Sequence, residues 1–511
     1  MSTSADQMQQ DLQAATVRVP KRLPLVTPFA TRNNVILKDS RLVNCYGEKL
    51  EGNDWAVNKR PCLQGILQQA GVEEVIGFFA YGRWAFLVGQ TGVGTANLYI
   101  YDLSTGTPVL SSTSAVNGLD DFYSFYVAPT GLTDITVVMQ NGVAGYVLPY
   151  TTVPPVLAPI TDVNYPANTV PGWAALDGTT YVMGTNGEIF GSAVDDPTTW
   201  PALEAIAADS DPDAAIALAQ HLTYVVALKQ WTTNFFYDAG NPAPGSPLSP
   251  VPDSQVPYGC WAATTVQEID GNLIWMTSGK KNVQPQIGRL NNLSFAIVSD
   301  PSIDRLLQVS GQGDGDFRSW TLKSNGHRWY GLTNLVQNWT IVYDLDSGRW
   351  QVWTDYLGNC FPVSFMASQT ETAYPSYNLA MGVENATMWS VQPDYVVPVD
   401  SWWNGAGFSI SPPAVDIYTP SYDGGTRRKK TLNFMFFNGD KVAGSILKSR
   451  WNDDDYQTTK WSNFRQIDLA AVTPQLPNNG TFRRRAYHFR HQCPTAFRLK
   501  TVDLQLDIGT L

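Results

Sequence analysis

The sequence predicts an all-β protein: a β-propeller of six or seven blades with an additional C-terminal antiparallel β domain resembling a sandwich. Three observations carry this. Gly (41) and Pro (33) together make up about one residue in seven of the 511, which punctuates the chain too often for long helices. Aromatic residues reach 12% while charged residues stop at 15%; this mix suits short strands with packed faces and excludes a coiled coil, a collagen-like rod or a disordered chain. Strand-like cassettes also recur, their starts roughly 43–55 residues apart, within reach of the spacing of four-stranded blades.

Taken in order, residues 1–17 are polar, rich in Gln and Ala, and read as a flexible N-terminal arm. Residues 18–70 are extended and broken by Pro20, Pro24, Pro28 and Pro61; they are expected to pack on the propeller or to lend a strand that closes it. Residues 71–400 are the propeller. Its first cassette pairs the apolar run 75–88, broken at Tyr81-Gly82, with N-L-Y-I-Y-D-L at 97–103. Further cassettes begin near residues 122, 173, 216, 262, 317 and 361. In the clearest, 317–354, aromatic side chains alternate on either side of a tight turn at 344–348. Large flat side chains suit a sheet face clamped between two blades. Only residues 201–220 read as helical in this body. A Pro/Gly/Trp break over 392–412 then leads to residues 413–511, expected as a separate β domain with strands near 432–437, 445–451, 463–469, 483–490 and 497–508.

The net charge of −11 is unevenly spread. Residues 71–420 hold 10 Lys+Arg and 31 Asp+Glu; residues 421–511 hold 15 and 8. An acidic middle with basic ends is not the footprint of a protein that grips DNA. The five Cys are odd in number and widely spaced, which fits free thiols in a reducing compartment. The first 19 residues lack a signal-peptide pattern and no run approaches 18 apolar residues, so folding in a cytoplasm without a membrane span is expected.

A search for chemistry leaves no catalytic residue, cofactor or metal assigned. His488, His491 and Cys493 resemble a zinc cluster, yet an odd separation on a strand turns the two histidines to opposite faces. Asp209, Asp211 and Asp213 have the first spacing of a calcium loop, but Ala214 and Gln220 occupy the positions of its Gly and Glu; a solvated acidic turn is the reading. The glycines of 311–316 lack the following Lys-Ser/Thr of a phosphate loop. Residues 451–461 resemble an Asp-box hairpin, which is a structural turn. Two dense basic clusters remain: Arg427, Arg428, Lys429 and Lys430, and Arg483, Arg484 and Arg485. They are either a solvated surface or a docking surface for an acidic partner or DNA phosphate; on strands, not every charge in them could face one partner.

Leu23-Pro24-Leu25, Val43-Asn44, Tyr46, Glu48 and Arg60-Pro61 resemble the N-terminal pattern of the packaged-DNA stabilization proteins, the tail hub or nozzle components of short-tailed bacteriophages; Cys62 stands where that family has Gly. Residues 222–240, 272–307, 451–469 and 483–508 are similar to later motifs of the family in the same order. The resemblance implies a non-catalytic virion protein of the tail, assembled in the bacterial host cytoplasm. It implies a homo-oligomer, a hexameric ring, below the portal and its adaptor. That ring would close the DNA channel, receive the tail needle or plug and the tailspikes or fibres, and pass genomic DNA on ejection without sequence-specific binding. An acidic face lining that passage would let DNA slide. The alternative reading is a carbohydrate-active propeller enzyme or lectin-like module.

Overall fold

Alternating apolar strands bounded by Gly, Asn and Asp turns build seven small antiparallel sheets around a common axis. The computed structural model describes residues 20–32, 39–119, 122–131, 134–208, 212–242, 244–280, 284–308, 316–369, 377–382 and 386–509. The arm expected over 1–17, Asp209, Asp211 and the glycines of 311–315 lie outside the described residues.

Six blades are contiguous in sequence, and the seventh is composite. The first four run from Glu74–Tyr81 to Val109–Gly118, Ser124–Thr130 to Ala158–Pro159, Ala174–Leu176 to Ala205–Ala207, and Ala215–His221 to Leu248–Pro250. In the fifth, two short pieces, Gly259–Cys260 and Gln267–Glu268, share the inner position beside Asn272–Ser278, and Ser294–Ile297 is outermost. The sixth runs from Phe317–Ser324 to Arg349–Val352. The seventh takes three strands from residues 363–392 and its outer strand, Cys62–Gln68, from ahead of the first blade; Gln68 pairs with Thr387 and Cys62 with Gln392. The expected six or seven blades thus resolve to seven, closed by a strand from the N-terminal segment. Closure matters because it removes the edges that an open sheet leaves unpaired.

Each junction between neighbouring blades is an apolar cluster. Ile76, Phe86 and Leu98 meet Tyr123, Val137 and Met139 between the first two blades, and Val75 and Phe78 meet Phe365, Leu379 and Met388 where the seventh returns to the first. Between the sixth and seventh, Trp320, Trp329, Trp353 and Trp402 pack with Phe361 and Leu63. Each such buried side chain contributes roughly 1.5–3 kcal/mol, so the ring is held by junctions all around its circumference. The α-helix α1 (Pro301–Gln308) fills the space between the fifth and sixth blades with Ile303, Leu306 and Leu307; Asp300 caps it by accepting the Ser302 and Ile303 amides.

The helix expected over 201–220 is not formed: Ala205–Ala207 and Ala215–His221 are strands. Alanine is the best helix former, but propensity yields to tertiary packing, and here small alternating residues are needed where Ala217 and Ala219 pack beside Val226 and Leu228.

Both chain ends build the second body. One sheet orders Arg41–Val43, Val415–Tyr418, Ala486–His491, Ile446–Asn452 and Arg465–Asp468; the other orders Cys45–Lys49, Trp55–Lys59, Arg498–Ile508, Lys430–Gly439 and Gln475–Pro477. Leu42, Ile417, Leu447 and Phe489 from the first pack against Val57, Met435, Leu499 and Leu504 from the second. Residues 413–511 therefore do not stand alone: strands from 20–59 complete their sandwich. Val43 also pairs in parallel with Val352, so the sixth blade and one sandwich sheet are a single nine-stranded sheet.

Candidate docking platform and axial cavity

Lys430 opens its strand opposite Phe482, and this pairing brings the two basic clusters together. The buried Lys430 Nζ donates to the carbonyls of Thr426 (2.7 Å), Arg428 (2.8 Å) and Arg483 (2.8 Å). Burial pulls its pKa down, against the pull of Asp423. Arg485 is buried as well. Its Nε and Nη2 reach Asp453 at 2.6 and 2.8 Å, and its guanidinium lies over the rings of Trp451 and Phe482 at 4.9 and 4.5 Å.

Lys430 and Arg485 are thus internal struts. Arg427, Arg428, Lys429, Arg483 and Arg484 are exposed, and among the described residues none of the five makes an ion pair. The alternation of faces expected for 483–485 does not apply, because the strand begins only at Ala486. The result is one platform of five exposed cations, not two strands with divided faces.

The histidine candidates separate as their spacing requires. His488 Nε2 lies 2.6 Å from Asp416, and its Nδ1 accepts from Arg450 Nε at 2.8 Å; Arg490 holds the same carboxylate at 2.6 and 2.9 Å. His491 turns the other way, to Ser445 Oγ (3.0 Å) and the ring of Phe497. The Cys493 thiol lies beside the Ile446 amide. Asp213, the described member of the acidic turn, pairs with Lys229 at 2.7 Å and accepts the amides of Trp231 and Thr232. In the Asp-box-like hairpin, Asp453 serves Arg485 and Trp461 packs on Tyr418, Tyr456 and His488.

Among the described residues one trio could hold a metal ion: His327, Asp344 and Asp346. His327 Nδ1 is 2.8 Å from Asp344, however, and Arg328 sits 2.6 Å from Asp346, supplying the charge that an ion would bring.

A cavity of about 780 Å³ runs along the propeller axis, lined by the inner strands of the blades. Phe79, Phe125, Tyr126, Trp173 and Phe365 give it an aromatic wall; Glu268 and Arg318 are its two charged lining residues. No sequence motif marked this cavity, since its lining is gathered a few residues at a time, between two and six from each blade.

Comparisons with known proteins bear on the propeller. Residues 135–356 match a family model, Phage_stabilise, described as bacteriophage P22 Gp10, beta-propeller. The stretch runs from the second strand of the second blade to just past the sixth. No curated protein matches. Among solved structures, the N-terminal domain of Nup159 is similar at a TM-score of 0.39 and 8% identity, over 70% of this chain and 100% of that one. The extracellular domain of the putative hybrid two-component system BT4673 from B. thetaiotaomicron is similar at 0.39 and 10%, over 65% of this chain and 39% of that one.

Proposed function

We propose that the protein is the tail hub or nozzle of a short-tailed phage, on the premise that residues 135–356 of its propeller match the model of the bacteriophage packaged-DNA stabilisation family. Copies form a ring, six by resemblance, below the portal and its adaptor. The ring closes the DNA exit channel after packaging and conducts the genome on ejection. Adaptor, needle or plug, and tailspikes or fibres dock on it, and the work is done by interfaces without catalysis.

The observation that carries this reading is the family match across the second to sixth blades. Two features support it. The acidic excess of residues 71–420 suits a wall past which a polyanion must slide, since a basic wall would hold it through many phosphate contacts. The ring of apolar junctions, sealed by a strand from the opposite end of the propeller sequence, suits a part that bears pressure from packaged DNA.

The test is made on particles. Phage assembled without this chain are expected to package DNA and then lose it, and mass spectrometry of complete virions should find the chain in the tail. Particles that lack it and still retain and deliver DNA would overturn the reading. The enzymatic alternative has a separate test. A glycosidase uses two carboxylates, whereas Glu268 is the one carboxylate among the described residues lining the axial cavity. Glycan turnover abolished by Glu268→Gln would sink the non-catalytic role.

A further inference from the structure

Charge is divided along this chain by blade. Residues 84–228, from the second strand of the first blade into the second strand of the fourth, contain no Lys or Arg and 13 Asp or Glu. Asp102 and Asp213 are answered by the cations that bound the stretch, Arg83 and Lys229. Others are exposed in turns of adjoining blades. Asp134 begins a strand of the second blade, and Asp177 sits in the first turn of the third. The two turns are tied together: the Gly131 amide donates to the Asp195 carbonyl at 3.0 Å, and the Asp195 amide donates to the Gly178 carbonyl at 2.8 Å. Val194, 65% exposed, packs against the Gly178 turn and puts apolar area beside these acids.

The platform carries the opposite charge. Arg427, Arg428, Lys429, Arg483 and Arg484 face solvent, with Asp423 the exposed carboxylate among them. Its shape is fixed from beneath, because the Lys430 ammonium holds the carbonyls of Arg428 and Arg483 at once.

We propose that the platform of one copy docks on the cation-free sector, blades one to four, of a second copy. Charge selects the geometry. Two platforms repel, so the contact joins the platform of one copy to a different surface of the next; repeated head to tail, such heterologous contacts generate a ring where the rotation between copies closes. Complementary charge supplies orientation and on-rate, while Val194 supplies area that leaves water. The inference rests on the ring reading above but concerns only how copies meet, so it is tested on the isolated protein.

Self-association of the full chain is measured by sedimentation velocity across a salt series. Arg483→Glu/Arg484→Glu is expected to weaken association at least tenfold with unchanged circular dichroism, and Arg483→Gln/Arg484→Gln by a smaller factor. Association of the wild type should weaken as salt rises, since exposed charges are screened beyond ~8 Å at physiological ionic strength. Asp134→Lys/Asp177→Lys should also fail to self-associate, yet form mixed oligomers with the Arg-to-Glu variant in which the reversed charges meet. Unchanged association of the Arg-to-Glu variant, absence of mixed oligomers, or a wild type that stays monomeric at low salt would each overturn the proposal. A chain that associates as described but is missing from virions would sink the tail reading and leave this contact standing.

Discussion

Arg60 and Asp400 lie 340 residues apart in the chain and form an ion pair from which water is excluded, both side chains being 0% exposed. Arg60 Nη2 and Nη1 reach the carboxylate at 2.7 and 3.2 Å. The remaining groups are spent too: Nε donates to Asn44 at 2.9 Å, Nη1 to the Pro61 carbonyl at 2.8 Å, and Asp400 accepts the Leu63 amide at 2.8 Å. The guanidinium also lies over the Phe361 ring at 4.7 Å. This is the point where the sandwich strands end, the closing strand begins, and the hairpin of Asp400–Trp403 and Phe408–Ser411 crosses it.

Removing one partner of that pair leaves a buried charge unanswered, which costs about 3–5 kcal/mol. Asp400→Asn is therefore expected to lower thermal stability by that amount in calorimetry. The apolar double replacement Arg60→Met/Asp400→Leu should recover much of it, because burying no charge avoids the desolvation cost. A loss below about 1 kcal/mol in the single variant would show that the latch does not hold the ring.

The propeller was legible because its signal is repeated: seven cassettes, each with its own turn residues, report the same architecture, and the strand that closes the ring came from the segment suspected of it. The latch was not legible. A single Arg-Pro step and a single Asp in a Trp-rich break carry no periodicity, and only the tertiary fold brings them together. The platform was half legible. Composition marked all seven basic residues, but which of them face inward depends on where a strand starts and on which aromatic rings lie beneath. Alanine-rich 201–220 misled because helix propensity is a weak preference that a packed sheet overrides.

A glycine near the axis sets a second expectation. Gly172 has φ +107°, and a Cβ there would lie 1.8 Å from the backbone carbonyl oxygen of Leu218. Backbone cannot step aside as a side chain can, so Gly172→Ala must force the third and fourth blades apart. Gly106, at φ +77°, faces open space; Gly106→Ala should cost only the ~1–2 kcal/mol of a left-handed non-glycine residue. The Gly172 variant should cost clearly more, or fail to fold. Equal melting temperatures for the two variants would contradict the close approach.

The five cysteines are free, with Cys45, Cys62 and Cys260 buried and Cys360 and Cys493 partly exposed. Burial pushes the Cys45 and Cys62 thiols up, and nearby carboxylates add to it. A thiol must ionise to react. Native protein at pH 8 is expected to label at Cys360 and Cys493 within minutes, and at the other three only once denatured. Fast native labelling of Cys62 would mean that the closing strand opens.

The buried histidines give the protein an acid limit whose sign can be worked out. Burial pushes His488 down to about 4, outweighing Asp416, while Arg450 and Arg490 push it further; burial pushes His491 down to about 3, helped by Lys59. An unfolded histidine titrates near 6.5. Between that value and about 4, the unfolded chain takes up protons that the folded chain refuses, so stability falls as pH falls. His327 acts in the opposite sense. Burial lowers its pKa, but the hydrogen bond and charge of Asp344 win and the net shift is upward. Its contribution is complete below 6.5 and is lost as pH rises through its folded value. Stability should therefore peak near pH 6–7. His488→Gln keeps an amide donor toward Asp416 but cannot titrate. In that variant the fall in melting temperature from pH 6.5 to 4 should become distinctly shallower, with His491 and His221, both held down by burial, left to contribute to the rest. A slope equal to that of the wild type would show that His488 is protonated in the folded protein, and that the neutral histidine assigned between Arg450 and Asp416 is wrong.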